Sequence, residues 1–157
     1  MTESKLIKGG KLIGIKTSIF TIFNQEKYDP KAIPTAWSEF FTQFRSSNLP
    51  STTIFYGAAI PSMSADIPMD YYAGAIFDID TECPNGLVSV EIPSGIYLCV
   101  THTGPITSIA ETYGRAYGVE FPASGNEMRN APHLEIYNSD KDPMDADYTM
   151  EIAIPIN

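Results

Sequence analysis

The chain alternates between strand-like and helix-like patterns of apolar residues, and it does so in the same order twice. In the first half, residues 11–23 are rich in Ile, Phe and Thr, which favours a strand, and residues 52–60 and 71–80 have a similar pattern. Between the first two of these segments, Asp29 and Pro30 are typical of a helix start, because the Asp side chain accepts hydrogen bonds from free backbone amides and Pro has no amide donor to lose. The first half is therefore predicted to be β-α-β-β.

The second half repeats this order with almost no residue identity. Thr103-Gly104-Pro105 opens a predicted helix, and Gly118, which suits a left-handed C-terminal position, closes it. Strands are predicted at residues 87–92, 96–102, 133–137 and 148–156. A chain of 157 residues with 43% hydrophobic content fits one domain. We expect pseudo-repeats at about residues 11–82 and 87–156, with residues 1–10 poorly structured.

Each predicted helix carries a stripe of large apolar side chains at helical spacing. The stripes are Ile33, Trp37, Phe41 and Phe44 in the first helix and Ile106, Ile109, Tyr113 and Tyr117 in the second. Such a stripe is typical of an ordinary core face. Trp37 is the only tryptophan, and its indole face could instead meet a ligand.

The acidic charge lies in the C-terminal half. Residues 1–80 carry 7 Lys/Arg against 8 Asp/Glu, whereas residues 81–157 carry 3 against 11, which gives a net charge of -9. Because such a surface repels phosphate backbones, direct nucleic-acid binding is not expected, and cationic small molecules are favoured. The simpler explanation of the excess is a solvated loop that carries Asp140, Asp142, Asp145 and Asp147.

The sequence holds no motif for a metal, a cofactor or a classical hydrolase. Cys83 and Cys99 lack CxxC spacing, and His102 and His133 are single and separated. Neither GxSxG nor a phosphate-binding glycine loop occurs. Reduced thiols fit a cytoplasmic protein, and the sequence has neither a membrane-spanning run nor, in residues 1–10, a signal-peptide core.

One carboxylate lies in the middle of an apolar strand pattern, His133-Leu134-Glu135-Ile136-Tyr137. Because side chains alternate along a strand, Leu134 and Ile136 point one way while Glu135 and Tyr137 point the other. The chain is rich in aromatic residues that could enclose this acid, and an enclosed anion needs a partner. From the pattern alone, a solvated carboxylate or a structural salt bridge is the more common explanation.

Three segments occur in a fixed order: Ile92-Pro93-Ser94-Gly95-Ile96-Tyr97, then His102-Thr103-Gly104-Pro105 before a helix, then Pro132-His133-Leu134-Glu135-Ile136-Tyr137. Together with the repeated β-α-β-β order, they resemble the GyrI-like small-molecule-binding domain family. This family is the effector-binding module of AraC-type and MerR-type multidrug regulators and is also found alone. The resemblance spans about residues 11–156. It implies an α+β fold in which two pseudo-symmetric β-α-β-β units form an antiparallel sheet, with two main helices and a ligand groove between the units.

The resemblance further implies that Glu135 neutralises a cationic, lipophilic aromatic ligand, as the matching glutamate does in ligand-binding members of the family. Aromatic faces add cation–π attraction of roughly 0.5 to 2 kcal/mol each. Because neighbours alternate, only one of Tyr71 and Tyr72 can face the groove. The predicted aromatic walls are Trp37, Phe41, Tyr71, Tyr113 and Tyr137.

Two other functions stay open from the resemblance. Some members resemble hydrolases in which a Tyr and this same Glu act on strained electrophilic rings. Others bind DNA gyrase or a separate regulator, so the acidic half could contact a protein partner, and a homodimer is compatible with the sequence. Only about ten residues precede the first predicted strand, too few for a helix-turn-helix, so a stand-alone binder is expected.

Overall fold

Eight antiparallel strands form one sheet in the part of the chain that the computed structural model describes, which is residues 2–20, 24, 26–64 and 66–157. The strands are β1 (Thr2–Ile7), β2 (Gly10–Ile19), β3 (Phe55–Ile60), β4 (Met69–Phe77), β5 (Val88–Ile92), β6 (Gly95–Thr103), β7 (His133–Tyr137) and β8 (Thr149–Pro155). The helices are α1 (Ala32–Arg45), α2 (Ile109–Arg115) and α3 (Phe121–Ser124). A 3-10 turn (Ile106–Ser108) precedes α2, and a π-helical turn (Ala116–Glu120) joins α2 to α3.

The sheet has two matching halves that meet at β3 and β7. Its strand order is β1-β6-β8-β7-β3-β4-β2-β5, so β3-β4-β2 on one side correspond to β7-β8-β6 on the other. In the central pair, Gly57 lies opposite Glu135 and Phe55 opposite Tyr137. The predicted α+β class with two β-α-β-β units is therefore confirmed.

The outer strands are exchanged between the two halves. β1 leads into β2 but pairs with β6, and β5 leads into β6 but pairs with β2. The β1–β6 pair and the β2–β5 pair have the same register. At this crossing the Gly9 amide donates to Ser94 Oγ at 2.8 Å, and a Cβ on Gly9 would lie 1.8 Å from the Ile92 carbonyl oxygen. The prediction that residues 1–10 are poorly structured was wrong for residues 2–10, because pairing of β1 with β6 orders a segment whose own pattern is weak; Met1 lies outside the described residues.

The apolar core is divided between the two faces of the sheet. One cluster holds strand residues only, including Leu12, Tyr97 and Leu134, and the bent outer strands contribute to it. On the other face, α1 packs against β2 and β4 through Phe40, and the second helical segment (residues 106–124) packs against β6 and β8 through residues such as Ala116. Both helical segments therefore lie on one face, on either side of the β3–β7 pair.

The start of α1 and the end of the second helical segment differ from the sequence predictions. α1 begins at Ala32 rather than at Asp29-Pro30, because Asp29 Oδ1 accepts the Lys31 amide at 2.9 Å in a turn before the helix. The second segment does not end at Gly118. Its π-helical turn carries it on to Ser124, and Gly125, with φ of 71°, takes the left-handed position.

The predicted bounds of β2, β3 and β4 also extend beyond the strands that the structure shows. β3 begins at Phe55, because residues 52–54 form a local turn in which the Thr52 hydroxyl bonds the Ile54 backbone. β4 ends at Phe77, and the following residues turn away, with the Thr81 amide donating to the Asp78 carbonyl. β2 ends at Ile19, before the predicted end of the first strand, and residues 21–23 of that prediction lie outside the described residues.

Candidate functional site

Glu135 lies at the centre of the sheet, on the face that carries the helices. Its side chain is buried, with 9% of the residue exposed. Oε1 accepts the hydroxyls of Tyr71 at 2.7 Å and Tyr137 at 2.8 Å, and Oε2 accepts the hydroxyl of Tyr113. Three phenols thus replace the water that the carboxylate loses on burial.

The donors come from both halves of the molecule. Tyr71 belongs to β4, Tyr113 to α2, and Tyr137 to the same strand as Glu135. From α1, Trp37 Nε1 donates to the Tyr71 hydroxyl at 3.0 Å, which orients that hydroxyl towards Glu135. Five of the six residues predicted for the site are therefore joined in one hydrogen-bonded network.

Phe41, the sixth predicted residue, reaches this network only through ring contacts. Its ring lies 5.8 Å from that of Trp37, and Trp37 in turn packs edge-on against Tyr137 at 5.2 Å. Phe41 also contacts Phe55 at 5.0 Å. It is half-buried in the α1 cluster and its contacts are with other aromatic rings, so its place is at the margin of the network.

The alternation of β4 decides between Tyr71 and Tyr72. Tyr71 is 2% exposed and points to Glu135, whereas Tyr72 packs in the cluster of strand residues on the opposite face. Tyr71 therefore belongs to the site.

The sequence predictions missed Gly57, which gives the carboxylate its space. A Cβ at this position would lie 2.3 Å from the Tyr71 hydroxyl and 2.6 Å from Glu135 Oε1. Because Gly57 stands directly opposite Glu135 in the β3–β7 pair, only a glycine leaves room for both groups. The available signal was a lone glycine inside an apolar strand.

Burial and the nearby carboxylate keep the three phenols protonated. Desolvation is the largest cause that raises the pKa of Tyr71, Tyr113 and Tyr137 well above the ordinary value, and the charge of Glu135 is the second. In the described part of the chain, no Lys or Arg forms an ion pair with Glu135. Among the described residues, the carboxylate therefore has neutral donors but no counter-charge.

An aromatic stack extends the site from α2 to the π-helical turn that follows it. The ring of Tyr117 stacks on Tyr113 at 6.2 Å and on His133 at 5.8 Å, and its hydroxyl lies 2.6 Å from His133 Nδ1. Burial lowers the pKa of His133 to about 4, so the imidazole is neutral near pH 7. Neither Tyr117 nor His133 was predicted for the site, although Tyr117 belongs to the stripe seen in the sequence.

His102 is structural in its contacts and lies outside this network. Its Nδ1 contacts the Thr112 hydroxyl at 2.6 Å, and its Nε2 lies 3.1 Å from the carbonyls of Gly104 and Pro105. Across the described residues, no group of three or more His, Cys, Asp or Glu side chains is placed to hold a metal ion. No helix in those ranges is long and apolar enough to cross a membrane.

Comparison with known proteins places this chain within a described domain type. The sequence model of one protein family, the GyrI-like small molecule binding domain, matches residues 11–157. No curated protein matches the chain.

Several solved structures have a similar fold at low identity. SAV2435 bound to tetraphenylphosphonium aligns with a TM-score of 0.75 and 17% identity, over 100% of this chain and 94% of that chain. The integron cassette protein VCH_CASS2 from Vibrio cholerae gives 0.70 and 19%, over 99% and 95%. The C-terminal domain of EcmrR gives 0.70 and 14%, over 100% and 97%. From the family match and the shared fold, the chain belongs to the GyrI-like small-molecule-binding domain family.

Proposed function

We propose that this chain binds lipophilic aromatic cations, with Glu135 as the counter-charge. The observation that carries the proposal is a carboxylate buried among aromatic rings that has no Lys or Arg ion pair in the described ranges. Attraction between unlike charges is stronger in such surroundings than in water, so a cation that reaches Glu135 gains more than it would at the surface. The surrounding rings are those of Trp37, Phe41, Tyr71, Tyr113 and Tyr137.

The lining favours an organic cation over a small inorganic one. A small hard ion gives up strong hydration on entering an apolar site, and the phenols supply too few oxygens to replace it. An aromatic cation with delocalised charge loses less hydration and gains contact with the ring faces. The chemistry of the site therefore matches bulky, weakly hydrated cations.

The fold comparison supports the choice of a probe. SAV2435, whose structure contains tetraphenylphosphonium, shares the fold over the whole of this chain. At 17% identity this likeness concerns the fold, so the ligand of that protein serves here as a test compound.

Trp37 provides the signal for a direct titration, because it is the only tryptophan and bonds to Tyr71 beside Glu135. We expect tetraphenylphosphonium to change its fluorescence saturably. Glu135→Gln should weaken binding at least about tenfold, which corresponds to about 1.4 kcal/mol. Glu91→Gln is the matched control, since it removes one carboxylate from an exposed position on the outer strand β5. Equal affinity in the wild type and Glu135→Gln would contradict the proposal.

One feature of the same site favours hydrolysis as a second candidate. Protonated phenols contact both oxygens of one carboxylate, so a general acid and a general base lie side by side. Turnover of an epoxide that is lost in Glu135→Gln would support an enzyme. Saturable cation binding with no product from a panel of such electrophiles would support a binder only.

A further inference from the structure

The outer edge of β2 has a partner strand over only half of its length. β5 pairs with β2 from Gly10 to Gly14, whereas β4 pairs with the other edge of β2 from Lys11 to Ile19. Within residues 2–20, 24, 26–64 and 66–157, no strand pairs with the outer edge from Ile15 to Ile19. About five residues, or roughly 16 Å of backbone, therefore present unpaired amide and carbonyl groups on that side.

A groove runs between this free edge and α1. It consists of two adjoining clefts of about 550 Å³ and 260 Å³, which share Ile15 and Glu39. Thr35, Ser38 and Thr42 form part of the helix wall. None of the residues that bond to Glu135 lines either cleft, so this groove is separate from the cation site.

The wider cleft carries more positive than negative side chains, in a chain whose net charge is -9. Lys16, Lys27 and Lys31 line it, and so do the carboxylates Asp29 and Glu39. Lys16 also pairs with Asp70 at 3.5 Å, an exposed contact that costs little to exchange. Lys27 and Lys31 thus bring ammonium groups to this end of the groove that can pair with acidic side chains of a ligand.

We propose that the groove binds an extended acidic peptide, which adds to β2 as a further strand along Ile15–Ile19. Unpaired strand edges recognise an extended backbone through main-chain hydrogen bonds, and neighbouring side chains then select the sequence. Here the lysines of the wider cleft select acidic side chains. This function is independent of cation binding at Glu135.

The test uses a fluorescein-labelled octapeptide of alternating Asp and Val, with two matched peptides. In the first, every Asp is replaced by Lys. In the second, alternate backbone amides of the acidic peptide are methylated on the edge that would pair. We expect saturable binding of the acidic peptide in fluorescence polarisation, at least tenfold weaker binding of both matched peptides, and slower amide exchange within residues 15–19. Absence of binding, or equal binding of the methylated peptide, would overturn the proposal.

Variants of the protein localise the binding. Lys27→Glu with Lys31→Glu should weaken the acidic peptide at least fivefold, whereas Lys8→Glu with Lys141→Glu, the same charge change at two exposed positions outside the groove lining, should not. Glu135→Gln should keep peptide binding, which separates this proposal from the cation site. The protein would instead self-associate without binding the peptide, and the lysine variant would abolish this self-association, if the groove bound a second copy of the chain. That result would overturn the peptide proposal.

Discussion

At the scale of single residues, the site depends on a carboxylate and on the missing side chain opposite it. Glu135 can lie against the sheet because Gly57 has no Cβ to occupy the space of Oε1 and of the Tyr71 hydroxyl. The acid, its donors and this gap form one unit, so a change in any of them should be felt by the others.

Gly57→Ala tests this unit. The added Cβ would overlap Tyr71 and Glu135, so we expect the free energy of unfolding to fall by about 1–3 kcal/mol, together with weaker binding of tetraphenylphosphonium. Urea denaturation and the Trp37 titration measure the two effects. Gly118→Ala is the control, because its Cβ meets no atom within 4 Å and Ala favours a helix by about 0.5–1 kcal/mol over Gly. If Gly57→Ala were as stable as the wild type with the same affinity, Gly57 would have no special role.

His133 gives the fold a dependence on pH. Its pKa is about 4 in the folded protein and about 6.5 in an unfolded chain, so between these values the unfolded state binds the extra proton. The contribution is therefore complete above pH 6.5 and is lost as the pH falls towards 4, by up to about 3 kcal/mol. The free energies of unfolding of the wild type and His133→Gln at pH 7.5 and 4.5 isolate the contribution of His133, since the other groups titrate in both proteins. A difference between the two proteins that stays constant with pH would contradict this expectation.

At the scale of elements, α1 serves both the core and the site. Phe40, which is fully buried, contacts the rings of Trp37, Phe41, Phe44 and Phe55. Phe41, on the adjoining side of the helix, is half-buried at the margin of the site. One helix face therefore anchors Trp37 against the sheet while leaving its ring beside Tyr137.

Phe40→Ala and Phe41→Ala should separate these roles. Phe40→Ala leaves a cavity in the α1 cluster and should cost about 3–5 kcal/mol of unfolding free energy. Phe41→Ala removes a side chain that is partly exposed and should cost about half as much or less, with weaker cation binding as its main effect. Urea denaturation decides the first point, and an equal cost for both variants would refute it.

The elements that local patterns determine were predicted, and those that tertiary contacts determine were not. His133–Tyr137 has a period of two and is a strand, and the stripe containing Trp37 is helical. The same stripe omitted Phe40, which turned out to be the most deeply buried aromatic residue of α1. Its neighbours at helical spacing are equally apolar, so spacing alone could not rank them.

Two misses concern contacts between distant segments. β1 has only two apolar residues in six, and it becomes a strand because β6 offers it a complete register. Gly57 gained its meaning only when the β3–β7 pairing set it opposite Glu135. In both cases the partner lies about 80 or more residues away, beyond the reach of any local pattern.

At the scale of the whole molecule, the site lies where the two units meet. The exchanged outer strands tie the units together at one crossing, and the β3–β7 pair joins them at the centre. Glu135 therefore receives hydroxyls from both units, from Tyr71 in one and from Tyr113 and Tyr137 in the other. Relative movement of the units would change the carboxylate's surroundings directly.

The net charge of -9 acts on a cation over a longer range than Glu135 does, and salt separates the two contributions. The Debye length falls from about 30 Å at 0.01 M salt to about 10 Å at 0.1 M, so attraction by exposed carboxylates weakens, whereas contact with a buried charge is screened much less. We expect 0.3 M NaCl to raise the Kd for tetraphenylphosphonium by a similar factor in the wild type and in Glu135→Gln. The ratio of the Kd of Glu135→Gln to that of the wild type should then be the same at both salt concentrations. Four titrations, at 0.01 and 0.3 M NaCl, measure it. If the ratio fell to one at high salt, Glu135 would be acting as a solvent-exposed charge, and a buried counter-charge would be the wrong description of this site.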